Sequence, residues 1–545
     1  MSEWFAGSAA VLQPGAVDGR RYFWPVAIAV AALLSACAWL TATDTMGLFH
    51  DDGIYAVTAK SLAEGHGYRI LSLPGDPIQT KYPVVYPFLL SLVWRVAPDF
   101  PSNVVWLKSL GVVSLGATVL LSAGLLRRWT RYHAPHWVLA FTAIVGLNPL
   151  VFSTTDLTLS DGLFAALTAA VLLVHADGTS ARGLMLTCGA AALSAVAMQT
   201  RQVGVAFVAA GLVWAWPRGR WHVTAYLGVV LSTLLADAAL RGAGHEPSAN
   251  LLLNYYTGYE TPLFARLLSS PGALWNVVSG NLGYVFDTAD AFLLFGALPG
   301  MRWVYVGLIA VGLPETLRRG GLHLAAVLVF YVGLVLVYPF VPTRYLLPLV
   351  PVTLVCLCNG FATLDLTIRS RVRSGRPGSL IAGALVALLL LASLAWGDWY
   401  RSAPPGNLRL WTGMRVSYGW SGFTETFSWV RQHTRASDVI ATAYDPSYYL
   451  YTGRQGVRPW LHQPDTYFYP RHRATANIGS AAEILVSLDA LGVDYLVLDP
   501  LDGFVERDAA QQLFEELIRR YGPRAELTFE SADHRHRIYR IAPGV

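Results

Sequence analysis

The chain has 545 residues, 54% hydrophobic and only 14% charged, with a mean hydropathy of +0.43. Soluble domains carry about 25% charged residues, so this composition excludes a water-soluble core-and-surface protein and points to a multi-span helical membrane protein. The net charge of +5 implies no nucleic-acid partner, because the arginines stand in short clusters between apolar runs, as topology signals do.

The first apolar run, 22–43, carries no charge and is long enough to span a bilayer. Leu34-Ser35-Ala36-Cys37 has the look of a lipoprotein cleavage box behind Arg20-Arg21. The run continues past Cys37 and many spans follow, so an uncleaved first helix is expected. Further spans are expected at 104–126, 137–152, 162–176, 183–200, 203–217, 221–240, 302–316, 322–341, 345–364 and 380–396, about 11 helices in all. Several are short and would need tilt or local thinning of the bilayer. Basic clusters fall at every second junction: Arg20-Arg21, then Arg127, Arg128 and Arg131, Arg182, Arg218 and Arg220, Arg318-Arg319, and Arg369 to Arg376. Positive-inside bias makes that side cytoplasmic. The N-terminus is then cytoplasmic, the C-terminal tail periplasmic or extracellular, and the location the cytoplasmic (inner) membrane.

Three regions are left on the outer face. The first outer loop, 44–103, is too long for a connector, with short helices expected at 54–62 and 87–96. The second, 241–301, is rich in Tyr, Asn and Gly, with stretches suited to the interface. Its Tyr255-Tyr256 and Tyr259-Glu260 cluster suits a groove lining or an aromatic belt. In the tail the long apolar runs stop. Strands are expected at 438–444, 494–499, 526–530 and 535–541 and helices at 424–433, 481–491 and 509–521, a small α/β domain of ~130 residues. The domain plan is thus 1–396 transmembrane and 397–545 accessory. The tail holds no glycine-rich phosphate loop and no nucleophile elbow. Cys37, Cys188, Cys356 and Cys358 all lie in apolar runs and suit small core positions instead of disulfides or a zinc set.

Candidate chemistry gathers at the outer junctions. Asp51-Asp52 follows the first span, in His50-Asp51-Asp52-Gly53-Ile54-Tyr55. A carboxylate there can take a proton from an acceptor hydroxyl or hold it in line; adjacent acids in a loop can also simply be solvated. Lys81, in Lys81-Tyr82-Pro83-Val84-Val85-Tyr86-Pro87, sits where a cation can neutralise a lipid phosphate or snorkel to the interface. Asp161 opens the fourth span close to Asp156; an ionisable group at membrane depth is a functional candidate, and an aspartate there also suits an N-cap. Arg201, in Gln199-Thr200-Arg201-Gln202, and Arg344, in Pro342-Thr343-Arg344-Tyr345-Leu346-Leu347-Pro348, stand on the face that positive-inside bias disfavours. A guanidinium pairs bidentately with phosphate oxygens, or anchors at the interface. Asp237 and Arg241 are spaced for an i,i+4 pair. His50 beside Asp51 and Asp52, with His66 nearby, offers potential metal ligands, but three in sequence rarely converge on one ion without a further partner, so no metal is expected.

Together these positions resemble the GT-C superfamily of integral-membrane glycosyltransferases, closest to the bacterial relatives of protein O-mannosyltransferases and of the lipid A aminoarabinose transferase. The shared features are His50-Asp51-Asp52 with Tyr55 and Ala59, the run from Lys81 to Pro87, and Asp161-Gly162-Leu163-Phe164. Thr200-Arg201, Arg344 to Pro348 and an α/β tail complete the set. The resemblance implies a mainly α, polytopic GT-C-like fold with a small C-terminal α/β domain. It also implies inverting transfer of a sugar from a polyprenyl-phosphate donor among membrane lipids, with no cofactor. Asp51, in preference to Asp52, would activate the acceptor, with Asp161 as the second acidic position. Lys81, Arg201 and Arg344 would neutralise the departing phosphate, and Tyr55, Tyr82, Tyr86 and Tyr345 would contact sugar or acceptor. Gln79 stands where a second carboxylate would be sought near Lys81, and nothing names the acceptor. A secondary transporter and a non-catalytic envelope-assembly protein are the competing readings. Transporters tend to carry inverted repeats and mid-membrane charges, neither of which is seen here.

Overall fold

A computed structural model describes residues 19–131, 135–176, 183–241, 248–257, 270–287, 301–338, 342–371, 408–409, 415–416, 420–461, 478–501 and 507–543. Among them, five helices are long and apolar enough to cross a membrane: Tyr22–Thr41, Val104–Trp129, Arg220–Arg241, Trp303–Val337 and Arg344–Leu364. The other expected spans are shorter apolar helices, and 380–396 lies outside the described residues.

In chain order the helices are α1 (Gly19–Thr41), α2 (Asp51–Ala63), α3 (Val85–Val96), α4 (Val104–Trp129), α5 (Pro135–Leu147), α6 (Pro149–Ser153), α7 (Ser160–His175), α8 (Leu184–Met198), α9 (Val205–Ala215) and α10 (Arg220–Arg241). There follow α11 (Leu251–Thr257), α12 (Pro271–Asp287), α13 (Met301–Val337), α14 (Thr343–Leu346) and α15 (Val350–Arg371). The runs expected at 302–316 and 322–341 form one helical stretch, α13, broken at Gly321. The run expected at 345–364 starts as a short turn of helix and a 3-10 turn through Pro348 before α15 begins. Proline there removes a backbone donor, so a regular helix starts only beyond it.

Helix α4 packs against α1, α5 and α7, α13 against α9 and α15, and α8 against α9 and α10. One apolar core, with Val112, Leu115, Val119, Phe164 and Phe207 buried in it, joins these helices except α10, whose Tyr226 and Val230 pack in a smaller cluster with α8 and α9. Cys356 and Cys358 are buried in it and Cys37 and Cys188 half-buried, all as free thiols. The α13 and α15 backbones nearly touch. A Cβ on Gly312 would collide with the Cys356 carbonyl, and one on Gly360 with the Leu308 carbonyl. Small residues permit such approach where hydrocarbon gives no other drive for helix association.

The first long loop folds as α2 and α3, close to the helices expected there. α2 starts earlier than expected because Asp51 and Asp52 occupy its first turn, where carboxylates suit the positive helix end.

The C-terminal domain carries α16 (Trp420–His433), α17 (Asp445–Thr452), α18 (Ala481–Ala490) and α19 (Arg507–Tyr521). Its strands are the β1–β2 pair (Leu408–Arg409, Arg415–Val416), β3 (Val439–Ala441), β4 (Gly456–Val457), β5 (Val493–Leu498), β6 (Ala525–Glu530) and β7 (Arg537–Ile541). The main sheet has the order β4-β3-β5-β7-β6; β3 is parallel to β4 and β5, whereas β7 is antiparallel to β5 and β6. All four expected strands and three expected helices form. Helix α17, strand β4 and the β1–β2 pair were not anticipated, although Asp445-Pro446 is a helix-start signature. Helix α18 begins with a capping box, Ser480 and Glu483 each bonding the other's backbone N–H. The domain docks on the first loop. Gly456 donates its N–H to the Ser72 carbonyl at 2.7 Å, and Gln455 donates to Asp76 at 2.8 Å.

Candidate active site

The Asp51 carboxylate is where the first loop, α7 and α14 meet. Tyr82 donates its hydroxyl to Asp51 Oδ1 at 2.6 Å, and Arg344 Nη1 donates to Oδ2 at 3.0 Å. The other arm of Arg344, Nη2, donates to Asp161 Oδ2 at 2.8 Å. Arg201 Nη1 reaches the same Asp161 oxygen at 2.8 Å. Asp161 is 1% exposed, and its second oxygen, Oδ1, is buried with no hydrogen-bond partner among the described residues. Both guanidiniums are backed by aromatic faces, Arg344 over Phe49 at 4.8 Å and Arg201 over Tyr345 at 5.0 Å. The N-cap position of α7 belongs to Leu159, and Asp161 stands in its first turn.

The two adjacent aspartates differ in environment. Burial by itself would raise Asp51, but the charges of Arg344 and Lys81 and the Tyr82 hydroxyl outweigh it and hold the carboxyl well below its usual range. Burial dominates at Asp52 and pushes it up to about 6. Asp52 accepts the N–H groups of Gly47 at 2.8 Å and Phe49 at 3.1 Å. Among the described residues it joins no ion pair.

The segment that carries Lys81 and Tyr82 is clamped along its backbone. Gln79 accepts the N–H of Lys81 at 3.0 Å and of Tyr82 at 3.2 Å. Gln202 donates to the Lys81 carbonyl at 3.1 Å, and Tyr68 to the Tyr82 carbonyl at 2.9 Å. Arg241 donates to the Thr80 carbonyl at 2.6 Å and to that of Tyr82 at 3.2 Å. Asp237 holds Arg241 at 3.0 Å, the i,i+4 pair expected from the spacing. Gln79, which stands where a carboxylate would be sought, is thus a backbone clamp. The Lys81 ammonium lies 5.1 Å above the Tyr82 ring.

Tyrosines line the same corner. The Tyr55 hydroxyl is 3.0 Å from Ser160 Oγ, and its ring lies 4.7 Å from Tyr82 and 5.1 Å from Tyr86. Tyr345 supports Arg201 with its ring, and its carbonyl accepts the Tyr331 hydroxyl at 2.7 Å. The structure therefore brings Asp51, Asp161, Arg201 and Arg344 into one ion-pair network. Lys81 and the tyrosines stand beside it, and Asp52 serves the adjoining turn. Tyr256 is not in an aromatic belt: it is 2% exposed and donates to Asp445 of the C-terminal domain at 2.8 Å. Residues 259 and 260 lie outside the described residues.

Lys108, inside α4, was passed over in the sequence. It is 2% exposed and donates to the Thr43 carbonyl at 2.7 Å and to Asp156 at 2.9 Å, pinning the end of α1 to the turn before α7. The signal was a lysine within an apolar run, which is costly unless paired. Among the described residues no three His, Cys, Asp or Glu side chains gather as a metal-ligand set.

No family model and no curated protein matches the chain in sequence. Solved structures do match in shape. The oligosaccharyltransferase AglB from Archaeoglobus fulgidus, in complex with an inhibitory peptide and a dolichol-phosphate, aligns over 96% of this chain and 74% of its own, at 11% identity and a TM-score of 0.54. ArnT from Cupriavidus metallidurans in the apo state aligns over 96% of this chain and 98% of its own, at 12% identity and a TM-score of 0.52. ArnT bound to undecaprenyl phosphate aligns over 94% and 97%, at 13% identity and a TM-score of 0.51. The chain has the fold of AglB and ArnT. At such identities the likeness is one of fold, and the alignment runs through both the helical part and the C-terminal sheet domain.

Proposed function

We propose that the chain is a GT-C glycosyltransferase that moves a sugar, with inversion, from a polyprenyl-phosphate carrier to an acceptor hydroxyl at the outer face of the cytoplasmic membrane. The observation that carries this reading is the arginine bridge, in which one guanidinium, Arg344, joins the carboxylates of Asp51 and Asp161. The fold shared with proteins solved with dolichol-phosphate and undecaprenyl phosphate supports it.

In this reading the donor phosphate competes for Arg344, Arg201 and Lys81. A phosphate oxygen that draws Arg344 away from Asp51 removes the charge that depresses that carboxyl, so donor binding makes Asp51 more basic. Asp51 then takes the acceptor hydroxyl proton as the acceptor oxygen bonds to the anomeric carbon. The bond from that carbon to the phosphate oxygen breaks, and the electron pair leaves with the polyprenyl phosphate. The arginines and Lys81 stabilise that charge in a site of low dielectric, where preorganised cations contribute most. Asp161 keeps both guanidiniums aimed, and Tyr55, Tyr82 and Tyr86 present ring faces and hydroxyls to sugar or acceptor. Asp52 keeps the turn below Asp51 in shape and exchanges no proton with substrate.

The test is transfer of label from a panel of radiolabelled polyprenyl-phosphate sugars by the purified full chain in detergent, with membrane and cell-wall extract as acceptor. Wild-type protein transfers label, and Asp51→Asn loses transfer while inserting and expressing normally. Normal transfer by Asp51→Asn removes Asp51 from the role of base. Absence of both donor binding and transfer across the panel favours a transporter or an assembly protein.

A further inference from the structure

The C-terminal domain meets the first loop where two helices begin. Helix α17 opens with Asp445-Pro446-Ser447, and α2 opens directly after Gly47 to His50. A Cβ on Gly53 would stand 2.7 Å from the Pro446 ring, and one on Gly47 would stand 3.2 Å from the Ser447 backbone. Only glycines permit this contact, so the two helix starts are keyed together. His50 lies at the junction, 3% exposed. Its backbone turns through φ 68° and ψ −58°, a strained γ-turn closed by the Asp51 N–H on the Phe49 carbonyl at 2.9 Å, and so has to be held in place. Its side chain is held by Asp445, whose Oδ1 is 3.1 Å from His50 Nε2, and its backbone N–H is held by the Gly47 carbonyl at 3.2 Å. The same Asp445 oxygen accepts the Tyr256 hydroxyl at 2.8 Å, and that hydroxyl in turn receives the Arg458 N–H at 3.3 Å. Asp445 is fully buried. His50 immediately precedes Asp51, so the peptide that leaves this strained residue aims the Asp51 carboxylate at Arg344.

We propose that Asp445 is a positioning residue that acts through His50 on Asp51, so that the C-terminal domain completes the site instead of accompanying it. The proposal rests on the reading of Asp51 as the base, and its test separates the two. Hydrogen exchange of the full chain in detergent reads the 47–54 backbone without any substrate. In Asp445→Ala that segment exchanges at least tenfold faster than in wild type, while peptides from β3, β5 and β7 are unchanged. Asp445→Asn, which keeps an acceptor oxygen for His50 and Tyr256, restores wild-type exchange. His50→Ala, which alters nothing inside the C-terminal domain, reproduces the Asp445→Ala pattern, and the double variant is no worse than either. In transfer assays Asp445→Ala lowers kcat at least tenfold with the donor KM unchanged, because the phosphate-facing cations are untouched, and Asp445→Asn recovers most of the loss. Unchanged 47–54 exchange in Asp445→Ala and His50→Ala overturns the proposal. So does an additive double variant, or acceleration in the sheet without acceleration at 47–54. Faster 47–54 exchange together with an inactive wild-type chain leaves the positioning standing and removes the glycosyltransferase reading.

Discussion

Neighbouring identical side chains meet opposite fates here. Asp51 is surrounded by cations and Asp52 by backbone N–H groups, and burial acts on both. For Asp52 the folded value of about 6 lies above the ordinary range of an aspartate. Folding therefore favours its protonated form. That contribution to stability is fully present below about pH 4 and is lost as pH rises toward 6. Asp52→Asn is expected to flatten the unfolding free energy across this window. Asp52→Ala leaves the Gly47 and Phe49 N–H groups unpaired and is expected to cost about 1–3 kcal/mol. Denaturant unfolding of the detergent-solubilised chain between pH 4 and 7 checks both. Asp51 has the reverse sign. Held below its usual range, it stays ionised through the mildly acidic region and produces no acid limb there. Arg344→Ala removes the largest attraction, so protonation starts at higher pH and activity declines as pH falls. The same change is expected to lower kcat/KM by about 100-fold or more and to raise the donor KM. A pH profile of kcat/KM reads these effects, and an unshifted acid limb would detach Arg344 from Asp51. The residues themselves showed a pair of acids, and only the family resemblance favoured Asp51; their different environments were not legible, because hydrogen bonds from the Gly47 and Phe49 backbone depend on how the turn folds.

At the scale of elements, apolar runs and their punctuation were legible, and lengths were less so. Most expected spans are apolar helices in the expected places, since hydropathy and helix period are local properties. What the runs did not show is how closely they approach. Gly312 and Gly360 read as ordinary glycines in apolar stretches, yet they let α13 and α15 touch, and α14 with Arg344 is strung between those two helices. Gly312→Ala is expected to push the pair apart, to lower thermal stability by about 2 kcal/mol or more by overpacking, and to reduce activity through displacement of Arg344. A variant with wild-type melting and activity would show that the helices separate without consequence. In the C-terminal domain, alternation revealed the four longer strands and three helices. It missed α17, whose eight residues are too few to show a period, and β4, whose two residues form a strand only because β3 lies beside it.

For the whole molecule, the site belongs to no single segment. It draws Asp51 and Tyr82 from the first loop, Asp161 from α7, Arg201 from the turn before α9, Arg344 from α14, and the Asp445 support from the C-terminal domain. A ligand that binds this assembled state stabilises the fold by mass action, about 2.7 kcal/mol at a concentration one hundred times its Kd. Polyprenyl phosphate is therefore expected to raise the Tm of the wild-type chain, and polyprenol lacking the phosphate to leave it unchanged. The rise should vanish when Lys81, Arg201 and Arg344 are replaced by alanine together. Equal stabilisation by the alcohol would place the affinity in the lipid tail and not in the cations. The sequence by itself determined the membrane class, the positions of the apolar helices, the α/β character of the tail and which charged residues stood out against their surroundings. Each of these follows from composition and local period. The tertiary structure alone decided that Arg344 bridges Asp51 to Asp161, that Gln79 and Arg241 clamp the Lys81 segment, that Lys108 pairs with Asp156, and that Asp445 holds His50. Those contacts join residues far apart in the chain, and electrostatic pairing depends on distance in space, which no local pattern of residues records.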